Sequence, residues 1–364
     1  MAPFIPAPEA RGILAFASKG SIPFLYTAGM AIQKTLGFWP VVAAVGGNLF
    51  VTIIKFVAGL ASGSSVMLSE AVHSLADTVN QVLLLIGLGR SIKKADDSFE
   101  YGYGNERFFC ALISACGVLF VGAGITAYNG ILALTAPHHV EFSSLIFGVL
   151  FVSFIVESYT LFIAADALKK SFPNASWQER IARADPATVS VFLEDAVAVL
   201  GVLVASVSIT LSYFTGNALW DAIGSLVIAT LLGIIAVTLI IKNRSYLIGR
   251  AIPEEIEEKV MELLNAEPAI ERVVDFKSQT IGFGVYRIKC DVEFNGAAFL
   301  DEILERQDMR AEFEEMDGDF ESFKRFLADY TDRIPRLIGK RVDEIEARIT
   351  KLYPGIRHID IEVN

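Results

Sequence analysis

Six stretches of the chain, near residues 38–61, 64–90, 108–134, 142–167, 187–212 and 218–241, are each apolar over a length that can cross a membrane. A transmembrane helix needs about 20 mostly apolar residues. In lipid the backbone must satisfy its own hydrogen bonds, so these stretches predict a six-helix transmembrane bundle. The 53% hydrophobic content suits that reading better than a water-soluble fold. Lysine and arginine gather after the second stretch (Arg90, Lys93, Lys94, Arg107), the fourth (Lys169, Lys170, Arg180, Arg183) and the sixth (Lys242, Arg244, Arg250), and are missing from the turns near 61–64, 135–141 and 213–217. By the positive-inside rule both termini are then expected in the cytoplasm, which requires an even number of spans.

Three regions follow: an N-terminal cytoplasmic or interfacial segment at 1–36, a transmembrane domain at 37–245 and a cytoplasmic C-terminal domain at 250–364. Residues 12–36 carry Lys19 and Lys34 and suit a surface-lying amphipathic segment. The opening residues lack the pattern of a cleaved signal peptide. Beyond Pro253 the sequence alternates helical and strand periodicity in the order αββαβ, predicting a small ferredoxin-like or metallochaperone-like α+β domain. A strongly charged stretch at about 297–333 has apolar residues at helical spacing and reads as a helical insertion. The formal charge of −11 argues against nucleic acid as a partner. Three cysteines without a CxxC pair imply neither a disulfide framework nor a cysteine-rich metal site.

Chemistry concentrates inside the apolar stretches. Glu70, His73, Ser74, Asp77 and Gln81 fall at i, i+3, i+4, i+7 and i+11, one stripe of the second helix. Ionisable groups at bilayer depth cost at least about 2.5–3.5 kcal/mol each, so such a cluster needs water, partners or an ion. Glu194 and Asp195 are neighbours in the fifth stretch and require a cation or a proton to neutralise them. Lys55 of the first stretch is one source of positive charge, through a plain lysine–carboxylate bridge. With His73 and Asp77, the pair makes an imidazole and carboxylate set that zinc accepts, and that manganese, iron, cobalt or cadmium also uses. Asn48 and Glu157 sit deep enough to line an ion or proton path with Lys55 and Glu70, although a structural role is equally compatible. Asp166 and Asp221 lie near span ends, where side chains reach water. Gly117, Gly122 and Gly124 suggest close helix packing.

These residues resemble the cation diffusion facilitator family over about residues 38–295 and 335–364. The resemblance rests on GSSVMLSEAVHSLADT in the second span, ADDSFEYGYGNERF in the following loop, LEDAVAVLG in the fifth span and DAIGS at Asp221. The loop and fifth-span runs are most similar to a branch that includes mitochondrial zinc transporters and their bacterial relatives. The family's second-span metal pair falls on His73 and Asp77. Its fifth-span HxxxD pair falls on Val191 and Asp195, and since valine binds no metal, Glu194 is expected to replace it. The loop position that is often histidine is Tyr103, and the C-terminal domain holds only His358, so no tight metal site is expected outside the membrane.

The resemblance implies a homodimeric zinc/proton antiporter that exports metal from the cytoplasm, with metal and protons competing for His73, Asp77, Glu194 and Asp195. It implies no enzyme and no cofactor, with Zn2+ as cargo, membrane lipid as surroundings and a bacterial plasma membrane as location, a mitochondrial membrane being the alternative. Two other readings compete: a non-transporting membrane interaction protein whose polar cluster is structural glue, and an intramembrane metallohydrolase. The hydrolase lacks support from any HExxH or nucleophile–base pair in a chain with four histidines.

Overall fold

The computed structural model describes residues 38–135, 144–299, 309–315 and 318–364. The amphipathic segment expected at 12–36, most of the turn at 135–141 and residues 300–308 of the charged stretch lie outside the described residues. Contacts divide the chain into two compact units, Met1–Leu247 and Ile248–Asn364.

The first unit is a bundle of long helices: α1 (Phe38–Ser62), α2 (Ser65–Ser91), α3 (Glu106–Thr135), α4 (Ser144–Ser171), a short α5 (Trp177–Arg183), α6 (Pro186–Thr215) and α7 (Leu219–Ile248). Among the described residues, five helices are long and apolar enough to cross a membrane: α2, α3, α4 from Ile146, α6 and α7. The ends follow local chemistry. Ser64 caps α2 by accepting from the Met67 N–H at 3.2 Å. Ser176 and Glu179 form a reciprocal capping box on α5. Pro186 opens α6, and Gly216 closes it with a φ of 66°, where a side chain would be strained.

α2 lies at the centre, packed on α1, α3 and α6, while α4 packs on α6 and α1. Ala58, Val66, Met67, Val118, Ile146, Val202, Ile209, Ile228 and Leu232 belong to the buried cluster between them. Close approach occurs at other glycines than Gly117, Gly122 and Gly124. Gly122 has only ordinary contacts, and Val118–Ala123 is a π-helical turn inside α3. A Cβ on Gly87 would lie 2.6 Å from Cys110 Cβ, and one on Gly130 2.9 Å from Leu226.

The second unit holds α8 (Glu254–Asn265), β1 (Ile270–Gly282), β2 (Val285–Phe294), α9 (Met309–Glu315), α10 (Phe320–Leu352) and β3 (Ile356–Val363). Its sheet has the order β1-β2-β3, with β1 antiparallel and β3 parallel to β2. Gly284, at φ 69°, makes the tight β1–β2 turn. Ile288, Cys290 and Val292 alternate inward and bury against Val260 and Leu264 of α8 and Ile345 and Ile349 of α10. The second helix of the αββαβ order starts at Phe320, inside the charged stretch, and runs unbroken through Pro335 and Gly339. The latter part of the charged stretch and that helix are thus one element, capped at Asp319 by a bond from the Ser322 N–H at 2.9 Å.

Candidate metal site in the helix bundle

The stripe predicted on α2 is buried: Glu70 and His73 have no exposed surface, and Ser74 has 7%. His73 Nδ1 and Asp77 Oδ1, one helical turn apart, stand 3.6 Å from each other. Neither imidazole nitrogen nor Asp77 Oδ1 makes a hydrogen bond, although all three are buried. Buried polar atoms in folded proteins nearly always have partners, so this orphaned pair retains free lone-pair capacity inside the bundle. An imidazole nitrogen and a carboxylate oxygen are both zinc donors, and the residues fit such an ion as cargo.

Glu194 and Asp195 point differently, as neighbours about 100° apart on a helix must. Glu194 is buried and accepts a hydrogen bond from the Asn80 side-chain amide of α2, and Asn80 in turn accepts from Ser114 Oγ of α3. Asp195 keeps Oδ2 buried without a hydrogen bond. The Asp77 carboxyl lies within electrostatic reach of both Glu194 and Asp195. No three His, Cys, Asp or Glu side chains among the described residues are close enough to hold one ion together in this arrangement. The structure therefore joins His73 to Asp77 and leaves the α6 carboxylates facing them at a distance.

Lys55 does not serve the α6 pair. Its Nζ donates to Glu70 Oε2 at 3.1 Å, Glu157 Oε1 at 2.5 Å and Ser74 Oγ at 2.9 Å, tying α1, α2 and α4 together. An ammonium has three donors, and this site uses them all. Asn48 stands two turns before Lys55 on α1, where its carbonyl accepts from Thr52 Oγ1 at 2.8 Å.

Asp221 corrects the expectation of a side chain reaching water. It is 3% exposed and caps the start of α2. Oδ1 accepts from Ser64 Oγ at 2.5 Å, and Oδ2 accepts from the Ser65 N–H at 2.6 Å, Ser65 Oγ at 2.7 Å and the Val66 N–H at 3.3 Å. The unpaired N–H groups and positive dipole end of a helix favour a carboxylate there. Asp166 does behave as expected, half-exposed and paired with Lys170 at 2.5 Å. Asn80 escaped the sequence reading. Its signal was its place three residues after Asp77 and seven after His73, on the same helical face.

In the loop after α2, Tyr103 donates to Asp96 Oδ2 at 2.7 Å and accepts from Lys93 Nζ at 2.7 Å, while Lys93 also donates to Asp96 at 2.8 Å. These bonds hold the Asp96 carboxyl down at about 2.

The bundle is a polytopic membrane unit with charged groups enclosed among its helices. A family model described as the cation efflux transmembrane domain matches residues 41–248, more than half of the chain, which therefore belongs to the cation efflux family. The chain is 35% identical over 329 residues to the mouse protein named proton-coupled zinc antiporter SLC30A9, mitochondrial, covering 89% of this chain and 58% of that relative. It is likewise 35% identical to the human protein of that name, over 89% of this chain and 58% of the relative. Metal tolerance protein C4 of Arabidopsis thaliana is 36% identical over 89% of this chain and 73% of its own length. The chain thus spans less than two thirds of the two mammalian relatives. Both mammalian relatives are named as mitochondrial, which runs against the expectation of a bacterial plasma membrane.

Proposed function

We propose that the chain is a secondary transporter that moves a divalent transition-metal ion, zinc first, across its membrane in exchange for protons. The observation that carries this reading is the orphaned His73–Asp77 pair: three buried polar atoms without hydrogen bonds on one helix of a cation efflux bundle, one imidazole lone pair and one carboxylate oxygen among them. The names of the mouse and human relatives support zinc and proton coupling. His73 and Asp77 form the fixed half of the ion site, and Glu194 and Asp195 supply the other half. In this arrangement Asn80 holds Glu194, so taking up the ion exchanges the amide hydrogen bond for a metal–carboxylate bond. Protons and metal compete for the same lone pairs, so a pH difference drives metal in the opposite direction. No covalent step on a substrate is required. α1 completes six spans, with both termini on the cytoplasmic side, and the C-terminal unit serves a homodimer.

The test is flux of zinc, manganese, cobalt and iron into proteoliposomes under an imposed pH gradient. Zinc moves with the unmodified chain, and Asp77→Ala and Glu194→Ala reduce flux to background while remaining folded by thermal melting. Zinc flux that survives both substitutions removes these residues from the site. A correctly inserted chain that moves none of the four metals sinks the transporter reading.

A further inference from the structure

The enclosed charge that the proposed cargo site does not use is the triad on α1, α2 and α4. Two carboxylates and a hydroxyl, from Glu70, Glu157 and Ser74, converge on the Lys55 ammonium, which has no exposed surface. Each carboxylate keeps a second oxygen, Glu70 Oε1 and Glu157 Oε2, buried and without a hydrogen bond. The close wall beside Glu70 is Gly201 of α6, where a Cβ would lie 2.1 Å from Oε1, so the helix backbone leaves room for this oxygen and little else. Oxygen donors converging on one point are what hard divalent cations select, with no need for imidazole or thiolate. Here that point is held by a cation that cannot leave, because it is attached to α1.

We propose that Lys55 determines ion specificity as a tethered cation: its ammonium fills what would otherwise be a second, all-oxygen divalent-cation site. Diffusible ions are thereby confined to the region of His73, where a nitrogen donor favours transition metals over harder ions. Two carboxyl groups share one fixed positive charge, so removing the ammonium leaves a demand at the same place that a divalent cation meets in competition with protons. Only the consequence for flux rests on the transporter reading. The number of ions bound tests Lys55 by itself.

The measurement compares the full chain with Lys55→Met, which keeps the length of the side chain without its charge. Bound manganese and zinc per chain are counted by equilibrium dialysis in detergent, and thermal midpoints are recorded with and without manganese. Lys55→Met is expected to bind an additional manganese ion per chain, and its lowered midpoint is expected to recover when manganese is added. Lys55→Met combined with Glu70→Gln and Glu157→Gln carries neutral amides in place of the carboxylates. That variant is expected to fold without ions and to lose the additional binding. An unchanged ion count in Lys55→Met overturns the proposal, and so does failure of that variant to fold even in manganese. If the unmodified chain moves no metal but Lys55→Met still gains the ion, the transporter reading fails and the role of Lys55 stands.

Discussion

The interior of the helix bundle and the outer face of the C-terminal sheet both bring opposite charges together, with different results. On the sheet, basic residues meet acidic ones near water: Arg272 with Glu293 at 2.7 Å, Arg287 with Asp360 at 2.9 Å and Lys289 with Glu362 at 2.8 Å. Exposed pairs of this kind contribute little to stability, because solvent screens them and the side chains lose freedom. In the bundle, Lys55 serves two carboxylates, His73 and Asp77 have unspent donor atoms, and Glu194 leans on an amide. Charge enclosed in a low-dielectric interior without full compensation is costly. Incomplete pairing where it costs most supports the proposed ion site, whereas pairing in water tunes a surface.

The sharpest way to break this contrast lies within the C-terminal unit, on two neighbouring residues of β2. Ile288 is 1% exposed and packs among Val260, Leu264 and Ile345. Ile288→Ala should lower the stability of the unit by about 3 kcal/mol, from lost burial and the cavity left behind. Lys289, pointing the other way, should tolerate alanine with no measurable shift. Chemical denaturation of the full chain, read by protease resistance of the C-terminal unit, compares the two. Equal losses would mean that the exposed ion pairs carry stability after all.

A smaller effect is expected where one bundle carboxylate is fully compensated. Asp221 accepts four hydrogen bonds from the start of α2 and has no idle oxygen. It is thus the structural counterpart of Asp77. Asp221→Ala should destabilise the bundle by about 2 kcal/mol, combining loss of a helix cap with orphaned serine hydroxyls. Asp221→Asn keeps two acceptor lone pairs and should recover part of that loss. Thermal unfolding in detergent gives both values. If Asp221→Ala melts as the unmodified chain does, the cap is not a stabilising contact.

The legibility of the sequence follows the range of each interaction. Apolar length gave the long helices, period-2 alternation gave the three strands, and the i, i+4 relation gave the closeness of His73 and Asp77, since all of these act within one element. The partners of Lys55 come from positions 15 and 102 residues away, so nothing local distinguished Glu70 and Glu157 from Glu194 and Asp195. Asp221 caps a helix that begins 156 residues earlier, a role that appears only once α7 lies beside α2. Pro335 and Gly339 sit inside α10 without ending it. There the continuous apolar spacing from Phe323 to Ile349 outweighs the local breakers.

The smallest predicted effect returns to exposed pairing, in the loop after α2. Asp96 is held at about 2, first by the hydrogen bond from Lys93 and then by that from Tyr103, against an ordinary carboxyl value near 3.9. A carboxylate whose value is depressed by folding contributes order that is complete above its unfolded value and is lost as pH falls through the folded one. The Lys93–Asp96–Tyr103 contacts should therefore be intact above about pH 4 and give way near pH 2, a window set by those two values. Carboxyl NMR of the unmodified chain should show this low midpoint. Lys93→Met should move it up toward the ordinary value, and Tyr103→Phe should move it less, because the lysine bond is the stronger of the two causes. Neither change should alter the thermal midpoint of the bundle, whose enclosed charges lie elsewhere. A titration left in place by Lys93→Met would show that Tyr103 and the Ser98 and Phe99 N–H groups that donate to Asp96 Oδ1 hold the carboxyl without the lysine.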